Sequence, residues 1–442
     1  MGAPDPTRFG VDQAEVTRRR LLPKALLVGV GSGLIAAAFR LCLHWTELGR
    51  NELIQLWPGV LGCLFAIVIG AGGAALALWL VIRFAPETSG SGVPHVKAVV
   101  LGEASMQWRR VLPIKFSAGL IGIGSGLALG REGPTIQMGG ATGLMIADWF
   151  RVQGGEGERK ALVSAGAGAG LAAAFNAPLA GMIFVLEELH GNFTPVIFVS
   201  AFLAAVTSDV VSRAIVGGAP VFALRGIAAP TFSVLPAAIV AGVAAGLIGV
   251  AFNRSIFWSL DRFGVLSRPW RIAAGALVGA VTGLASWFVP GLAGSGAPIV
   301  EQALAGGDHL GRIPLLLILR FILTVAAFGM GAAGGIFLPL MVIGALGGLL
   351  FGGLAHLVTP TWIPHPEVFA VLGMGALFTA IVRAPLTGLI LMIELTGVYD
   401  FMLPLLVTCF AAYGVAEGLG APPIYEELRT RAKGRFPPPD QR

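Results

Sequence analysis

Long apolar segments separated by short polar stretches follow one another through almost the whole chain. A straight helix needs about 20 apolar residues to cross a bilayer, yet several of these segments are shorter. Two short ones, 178–189 and 386–397, begin at or just after a proline, Pro178 or Pro385, which is typical of helices that stop inside the membrane. The pattern predicts an all-α polytopic membrane protein with broken, tilted helices. The apolar segments are approximately 25–45, 60–83, 112–129, 136–150, 161–175, 178–189, 193–216, 233–258, 271–290, 313–329, 336–358, 368–382, 386–397 and 401–419.

The second half of the chain repeats short stretches of the first half in the same order, which indicates an internal repeat. The repeated stretches are Gly90–Pro94 with Gly294–Pro298, Gly130–Pro134 with Gly335–Pro339, and Ala177–Glu187 with Ala384–Glu394. Repeats that each cross the membrane an odd number of times must be inverted relative to each other. Inverted repeats with helix breaks at corresponding positions hold their substrate at the repeat interface, near the bilayer midplane. The sequence therefore predicts two inverted-topology repeats and favours a transporter or channel.

The composition agrees with this class. Of 442 residues, 55% are hydrophobic and only 12% are charged, which excludes a soluble domain. The 64 glycines fit a membrane bundle, because small residues let helix backbones approach closely. Cys42, Cys63 and Cys409 form no CxxC pair, the histidines show no HExxH spacing, and no GxxxxGK[ST] phosphate loop is present. We therefore expect no metal, no cofactor and no enzyme activity.

Basic residues concentrate near the two ends of the chain. Arg18, Arg19, Arg20 and Lys24 precede the first apolar segment, and Arg429, Arg431, Lys433 and Arg435 follow the last. The positive-inside rule places both termini in the cytoplasm of a multi-pass protein of the plasma membrane or bacterial inner membrane. Nucleic-acid binding is the weaker interpretation, because each cluster is short and abuts a hydrophobic segment. The predicted divisions are a cytoplasmic tail 1–24, a first membrane repeat 25–220, a second membrane repeat 221–425 and a cytoplasmic tail 426–442.

Three glycine- and proline-bearing breaks, at Gly90–Pro94, Gly130–Pro134 and Gly335–Pro339, place helix starts inside the membrane. A helix start offers unpaired backbone N–H groups and a partial positive charge, so it attracts anions. Backbone dipoles without a cluster of basic side chains suit a small anion that must leave quickly better than a phosphate. The alternative is that these glycines serve only tight turns and helix packing. Ser91 is the side-chain donor of the first break, either as an anion ligand or as an ordinary helix cap.

Glu132 is the acidic residue of the second break, in a near-continuous apolar stretch where ionisable groups are costly and usually functional. A carboxylate beside anion-binding amides can occupy the site itself when it is charged and leave it when it is protonated. The position therefore predicts that Glu132 is both a gate and a proton carrier. A structural pair between Arg131 and Glu132 is the alternative.

Glu187 and Glu188 end a later apolar segment, and adjacent residues on a helix point about 100° apart, so the two carboxylates have different roles. Glu187 has a repeat partner in Glu394, which suggests an architectural role. Glu188 faces Leu395 in the repeat alignment, which suggests a function confined to one repeat. Pairing with a cytoplasmic arginine is the alternative for either residue.

The chain resembles the CLC chloride channels and transporters over roughly residues 25 to 425, most of all the prokaryotic chloride/proton exchangers. Gly90–Pro94 matches the family's GSGIP motif, Gly130–Pro134 its G(K/R)EGP motif and Gly335–Pro339 its GIFxP motif, and the run Gly170–Gly181 is also typical. The resemblance implies a homodimer that exchanges chloride for protons across the lipid bilayer, through one pore in each subunit. A passive chloride channel of the same fold is the alternative. A fluoride/proton exchanger is less favoured, because Ser91 keeps the chloride-type motif.

By the same resemblance, the central anion is held by the hydroxyl groups of Ser91 and Tyr425 and by the backbone amides of Ile336 and Phe337. Glu132 is then the external gate, and Glu188 falls where exchangers of the family keep an internal proton-handling glutamate. The candidate anion-binding residues together are Gly90, Ser91, Arg131, Gly133, Ile336, Phe337, Leu338 and Tyr425.

The chain also departs from the family pattern. His95 and Lys97 stand where related exchangers often carry acidic residues, which leaves the electrostatics of the cytoplasmic face open. The chain ends shortly after Tyr425, so the paired cytoplasmic CBS domains of many relatives are not expected. Anion preference and exchange stoichiometry do not follow from the sequence.

Overall fold

A computed structural model describes residues 6–152, 155–219, 222, 232–304, 310–434 and 436, with side chains from residue 20 onward. Over this part of the chain the fold is helical, and the only extended pairing consists of two isolated backbone bridges. The helices are α1 (Pro6–Gln55), α2 (Val60–Phe84), α3 (Val93–Leu101), α4 (Trp108–Gly124), α5 (Glu132–Trp149), α6 (Gly155–Phe175), α7 (Pro178–Phe184), α8 (Pro195–Val216), α9 (Leu235–Gly264), α10 (Arg268–Phe288), α11 (Ala297–Leu304), α12 (Ile313–Gly329), α13 (Phe337–Val358), α14 (Val368–Val382), α15 (Pro385–Thr396), α16 (Met402–Gly418) and α17 (Ile424–Arg431).

Seven helical segments in the described ranges are long and apolar enough to cross a membrane. They are Arg20–Gln55, Val60–Phe84, Pro195–Val216, Phe232–Gly264, Arg268–Phe288, Phe337–Val358 and Tyr399–Gly418. Others, such as α12 and α15, are apolar but too short to cross as straight spans. The predicted polytopic architecture with broken helices is confirmed.

The helices α1 to α8 and α9 to α16 follow each other in the same order, so the repeat seen in the sequence is a repeat of structure. In both halves a short helix follows the GSG loop, at α3 and α11, and a proline opens a broken helix, at α7 and α15. The predicted apolar segments do not include α3, α11 and α17, because each is short, although the break at Gly90–Pro94 did predict the helix start of α3.

Contacts between the repeats are reciprocal, which is the mark of a two-fold relation between them. The carboxylate of Glu187 accepts hydrogen bonds from the backbone N–H groups of Leu386 and Thr387 in the first turn of α15, at 3.1 and 2.7 Å. The carboxylate of Glu394 accepts from Leu179 and Ala180 in the first turn of α7, at 3.0 and 2.8 Å. Each acid thus caps the half-helix of the other repeat, which gives Glu187 and Glu394 the architectural contact that the repeat suggested.

The structural boundaries differ from the predicted divisions at both ends. Helix α1 begins at Pro6 and runs without interruption past residue 24, so part of the predicted N-terminal tail continues the first span. Leu21 is buried against α6 and α8. At the other end, the boundary at 425 falls inside α17, since this helix needs no apolar run to form. The boundary between 220 and 221, the side chains of Arg18 and Arg19, and Arg435 lie outside the described residues.

Close glycine contacts hold the helix pairs together, as the glycine content predicted. A Cβ atom added to Gly139 of α5 would lie 2.1 Å from the carbonyl oxygen of Gly166 of α6. The equivalent pair in the second repeat, α13 and α14, makes the same contact between Gly344 and Gly373, at 2.5 Å. Backbones this close leave room only for hydrogen at these positions.

Candidate functional site

The three predicted helix starts meet at the repeat interface. The backbone N–H of Gly130 donates to the carbonyl of Gly335, and that of Gly335 donates back to Gly130, at 2.8 and 2.7 Å. Gly90 donates to Ala332 at 3.1 Å and accepts from Gly334 at 3.2 Å. These bridges fix the starts of α3, α5 and α13 around one point, so their N–H groups and partial positive charges converge there.

Glycine is required where the starts touch. A Cβ atom at Gly133, in the first turn of α5, would lie 2.7 Å both from the Cα of Gly335 and from the carbonyl oxygen of Ser91. Any side chain here would push the three helix starts apart. Gly133 therefore belongs to the site as a spacer.

The Glu132 side chain is fully buried and turns back across its own helix start. One carboxylate oxygen accepts a hydrogen bond of 3.2 Å from the backbone N–H of Leu338, in the first turn of α13, and the other has no partner. No ion pair joins Glu132 to Arg131 within the described chain, and the Nε atom of Arg131 is buried without a partner. The alternative of a structural Arg131–Glu132 pair is therefore wrong for this conformation. The Glu132 carboxylate accepts from a backbone N–H of α13 that could otherwise bind an anion, as the gate hypothesis predicts.

Two buried hydroxyl groups lie near the same helix starts. The hydroxyl of Ser91, on a residue 1% exposed, accepts from the backbone N–H of Val93 at 3.3 Å, so Ser91 does cap α3. This bond uses an acceptor lone pair and leaves the hydroxyl proton free to bind an anion. Tyr425, on α17, is fully buried and its hydroxyl has no partner. Its ring lies 5.8 Å from that of Phe337. A buried hydroxyl without a partner is costly, so it points to a ligand for this position.

Lys115 is a site residue that the sequence reading missed. It is fully buried in α4, and its Nζ donates to the carbonyl groups of Thr88 and Gly90 at 2.8 and 2.6 Å. Arg320 of α12 does the same in the second repeat, donating to the carbonyl groups of Leu292, Gly294 and Ser295. A lone basic residue inside each of two apolar segments was the signal that could have revealed both.

Glu188 lies in a π-helical turn, Val185–His190, that extends α7. π-Turns often mark functional positions in helices. The carboxylate is 6% exposed and pairs at 2.9 Å with the ammonium group of Lys97, which also lies 3.3 Å from Glu426 on α17. Glu188 therefore pairs with a lysine, whereas the alternative considered from the sequence was pairing with an arginine. Glu187, its neighbour, faces α15, so the two acids do diverge as predicted.

A cavity of about 490 Å³ opens beside the first break and reaches Gly90 and Ser91. Its walls carry the guanidinium groups of Arg271 and Arg431, and the second is paired with Asp261 at 2.8 Å. Asp261 also lines the cavity, so the formal charges of its walls sum to about one positive charge, which favours anions weakly. The cavity lies on the side of the protein that carries α17.

Comparison with known proteins identifies the family. Residues 72–417 match the sequence profile of the family described as voltage gated chloride channel. The chain is 40% identical to the H(+)/Cl(-) exchange transporter ClcA of Vibrio parahaemolyticus over 418 residues, which cover 93% of this chain and 89% of that protein. It is 36% identical to the protein of the same name from Salmonella paratyphi A over 437 residues, covering 95% and 91% of the two chains.

Solved structures agree in fold. The crystal structure of a slow cyanobacterial Cl⁻/H⁺ antiporter matches with a TM-score of 0.90 and 38% identity, covering 94% of this chain and 98% of the other. A CLC-type fluoride/proton antiporter matches with a TM-score of 0.75 and 23% identity, covering 92% and 97%, which shows the shared fold alone. With two inverted repeats, converging helix starts and a profile match over most of its length, this chain belongs to the voltage gated chloride channel (CLC) family.

Proposed function

We propose that the protein is a chloride/proton antiporter of the bacterial inner membrane, and that Glu132 is its gate. The observation that carries the proposal is the hydrogen bond from the Leu338 N–H to the buried Glu132 carboxylate. An amide that binds a carboxylate oxygen can bind a chloride ion in its place. The relatives named H(+)/Cl(-) exchange transporter support the same activity.

The exchange follows from a competition for the helix starts. While Glu132 is ionised, its carboxylate occupies the first turn of α13 and chloride is kept out. When Glu132 takes up a proton it loses its charge, its bond to the amide weakens, and the amides of Ile336, Phe337 and Leu338 become available to chloride. The hydroxyl groups of Ser91 and Tyr425 then complete the coordination. One carboxylate thus makes anion binding depend on proton binding.

The proton needs a route of its own on the inner side. A proton beside N–H dipoles that select anions is repelled, so it cannot share the anion path at low cost. Glu188 is a buried carboxylate that does not line the cavity reaching Ser91, and through Lys97 it is linked to Glu426 of α17. We assign it to proton transfer between the cytoplasm and Glu132. Chloride and protons are the transported species, and no step needs a cofactor.

The proposal includes the orientation of the protein in the membrane and its assembly into a homodimer. The basic residues of α17 and those before the first apolar segment support a cytoplasmic position for both termini and for the cavity. Apolar side chains remain exposed on α8, α9 and α10, among them Val210, Leu247 and Leu277. These surfaces face lipid or a second copy of the chain in a homodimer.

Reconstitution into liposomes with simultaneous chloride and pH recording tests the function. The unmodified protein should move protons uphill when chloride flows down its gradient. Glu132→Gln should still pass chloride but lose proton movement by at least tenfold, and Glu188→Gln should do the same with Glu132 intact. Chloride flux with no proton movement in the unmodified protein would favour the passive channel.

A further inference from the structure

An ammonium group lies between two carboxylates at the surface where protons would enter the protein. The Nζ atom of Lys97 is 2.9 Å from an oxygen of Glu188 and 3.3 Å from an oxygen of Glu426. The two acids differ in environment, since the Glu188 side chain is 6% exposed and the Glu426 side chain 42%. Lys97 itself is 15% exposed. Both contacts are present at once, so Lys97 can stay paired with either acid without a large movement.

Glu426 is held in a fixed position by its own neighbours. Arg429, one turn along α17, donates to the Glu426 carboxylate and also to Glu103, which follows α3. Hydrogen bonding to the Arg429 guanidinium holds the pKa of Glu426 below its usual range. Glu426 therefore stays ionised near neutral pH and remains available as a partner for Lys97.

A fixed second partner solves an electrostatic problem at Glu188. If Glu188 takes up a proton while Lys97 has no other partner, a largely buried ammonium group is left unpaired, which opposes the protonation. With Glu426 beside it, the ammonium can pair there instead. The cost of protonating Glu188 is then reduced by a contact that already exists.

We propose that Lys97 is a switch that pairs alternately with Glu188 and Glu426, and that Glu426 keeps Lys97 paired whenever Glu188 carries a proton. In this step the Glu188 carboxylate gains one proton from cytoplasmic water, and the Lys97 ammonium group keeps its three protons. Lys97 and Glu426 are positioning residues. The inference rests on the proposed function, in which Glu188 transfers protons.

Placement on α17 links this switch to the anion site. Glu426 directly follows Tyr425, whose buried hydroxyl has no partner, and α17 packs on α3, which carries Lys97 and begins next to Ser91. A shift of α17 would move the hydroxyl and the carboxylate together. Proton uptake and anion occupancy thus share one mechanical element.

The other polar and charged side chains near Lys97 bind other partners. Both oxygens of Glu187 bind the start of α15, and the ring of His190 contacts Ser164. On α17, Arg429 pairs with Glu426 and Glu103, and Glu427 pairs with Arg431. The described charged groups of α6, which also packs on α3, are Glu158, Arg159 and Lys160, of which Glu158 pairs with Lys24 and Arg159 with Asp148. Lys97 is the group among them that contacts both Glu188 and Glu426.

The pH profile of chloride-driven proton transport in liposomes tests the switch, because a purely structural role would not shift it. Lys97→Met removes the charge that favours ionised Glu188, so the half-maximal pH should move to alkaline by about one unit. Glu426→Gln leaves Lys97 bound to Glu188 alone, so the profile should move to acid. In the double variant Lys97→Met/Glu426→Gln, the profile should match that of Lys97→Met.

Matched controls separate the switch from general surface charge. Glu427→Gln removes the neighbouring charge on α17, which pairs with Arg431, and Lys433→Met removes an exposed positive charge from the same face. Neither should shift the profile. Lys97→Arg, which keeps the charge, should restore it, and Lys97→Gln replaces Lys97→Met if that variant does not fold.

The inference is overturned if Glu426→Gln shifts the pH profile by the same amount in the Lys97→Met background as in the unmodified protein. It is also overturned if neither Lys97→Met nor Glu426→Gln shifts the profile. Glu188→Gln, measured alongside, distinguishes the two proposals. Loss of coupling in Glu188→Gln with unshifted Lys97 and Glu426 variants rejects only the switch. Full coupling in Glu188→Gln rejects the proton route itself.

Discussion

The loops before α3 and α11 have nearly the same sequence and nearly the same backbone, yet only the first belongs to the proposed anion site. In both, a serine hydroxyl accepts from the N–H two residues on, at 3.3 Å for Ser91 and 3.4 Å for Ser295. In both, a basic side chain from the second helix after the loop, Lys115 of α4 or Arg320 of α12, donates to a carbonyl group of the loop. Only the first loop lies beside α17, and only Ser91 is fully covered. The loop is thus a shared scaffold, and its surroundings decide whether it meets an anion.

The largest difference between the two loops is expected when the basic side chain that binds each of them is removed. Lys115→Met leaves the carbonyl group of Thr88 without a donor, while that of Gly90 keeps the N–H of Gly334. Arg320→Met removes the donor to the carbonyl groups of Leu292, Gly294 and Ser295, and each change should cost about 1–3 kcal/mol. Both should lower the thermal unfolding temperature. Only Lys115→Met should also weaken chloride binding, by about tenfold, because only its loop carries a proposed anion ligand, Ser91. Calorimetric titration of the purified proteins with chloride measures the difference, and equal affinities in the two variants would contradict it.

A smaller difference between the two loops is expected when the serine of each is replaced. Ser91→Ala removes one hydroxyl donor to the anion, worth about 0.5–1.5 kcal/mol, so chloride affinity should fall about three- to tenfold. Ser295→Ala removes the same cap from the second loop and is the matched control, with affinity unchanged. If both variants bind chloride like the unmodified protein, Ser91 serves only as a helix cap.

The smallest expected difference lies between the two reciprocal caps. Glu187→Gln and Glu394→Gln each remove a charged acceptor from the first turn of a half-helix in the other repeat. Each should lower stability by about 1 kcal/mol, and Glu187→Gln by slightly more, because the Glu187 carboxylate also accepts a hydrogen bond of 2.7 Å from the Thr387 hydroxyl. Unfolding followed by intrinsic fluorescence provides the values. A cost several times larger for one of them would show that the two-fold relation does not extend to energetics.

Much of the fold followed from the sequence, because its signals are local. Short apolar segments behind Pro178 and Pro385 predicted broken helices, and the repeated motifs predicted which breaks correspond. The three helix starts at the candidate site could be placed in the same way. Their convergence needed only the assumption that the repeats meet at these breaks, and the backbone bridges confirm it.

What the sequence did not show depends on contacts between distant segments. The pair of Lys97 and Glu188 joins residues 91 positions apart, and no pattern around Lys97 announces it. The caps made by Glu187 and Glu394 cross from one repeat to the other. Tyr425 came only from family resemblance, since a tyrosine after a proline-containing turn has no distinctive local signal. The roles of these residues in transport stay predictions.

The paired hydrogen bonds between Gly130 and Gly335 also bear on how the protein is made. Glu132 finds its amide on Leu338, 206 residues further along the chain, so a nascent first repeat holds this acid without its partner. An ionised carboxylate in that state would be costly in hydrocarbon, so the first repeat is expected to insert with Glu132 protonated or still in contact with water. The transport site is therefore among the last parts of the protein to form, and it forms only when the two repeats dock.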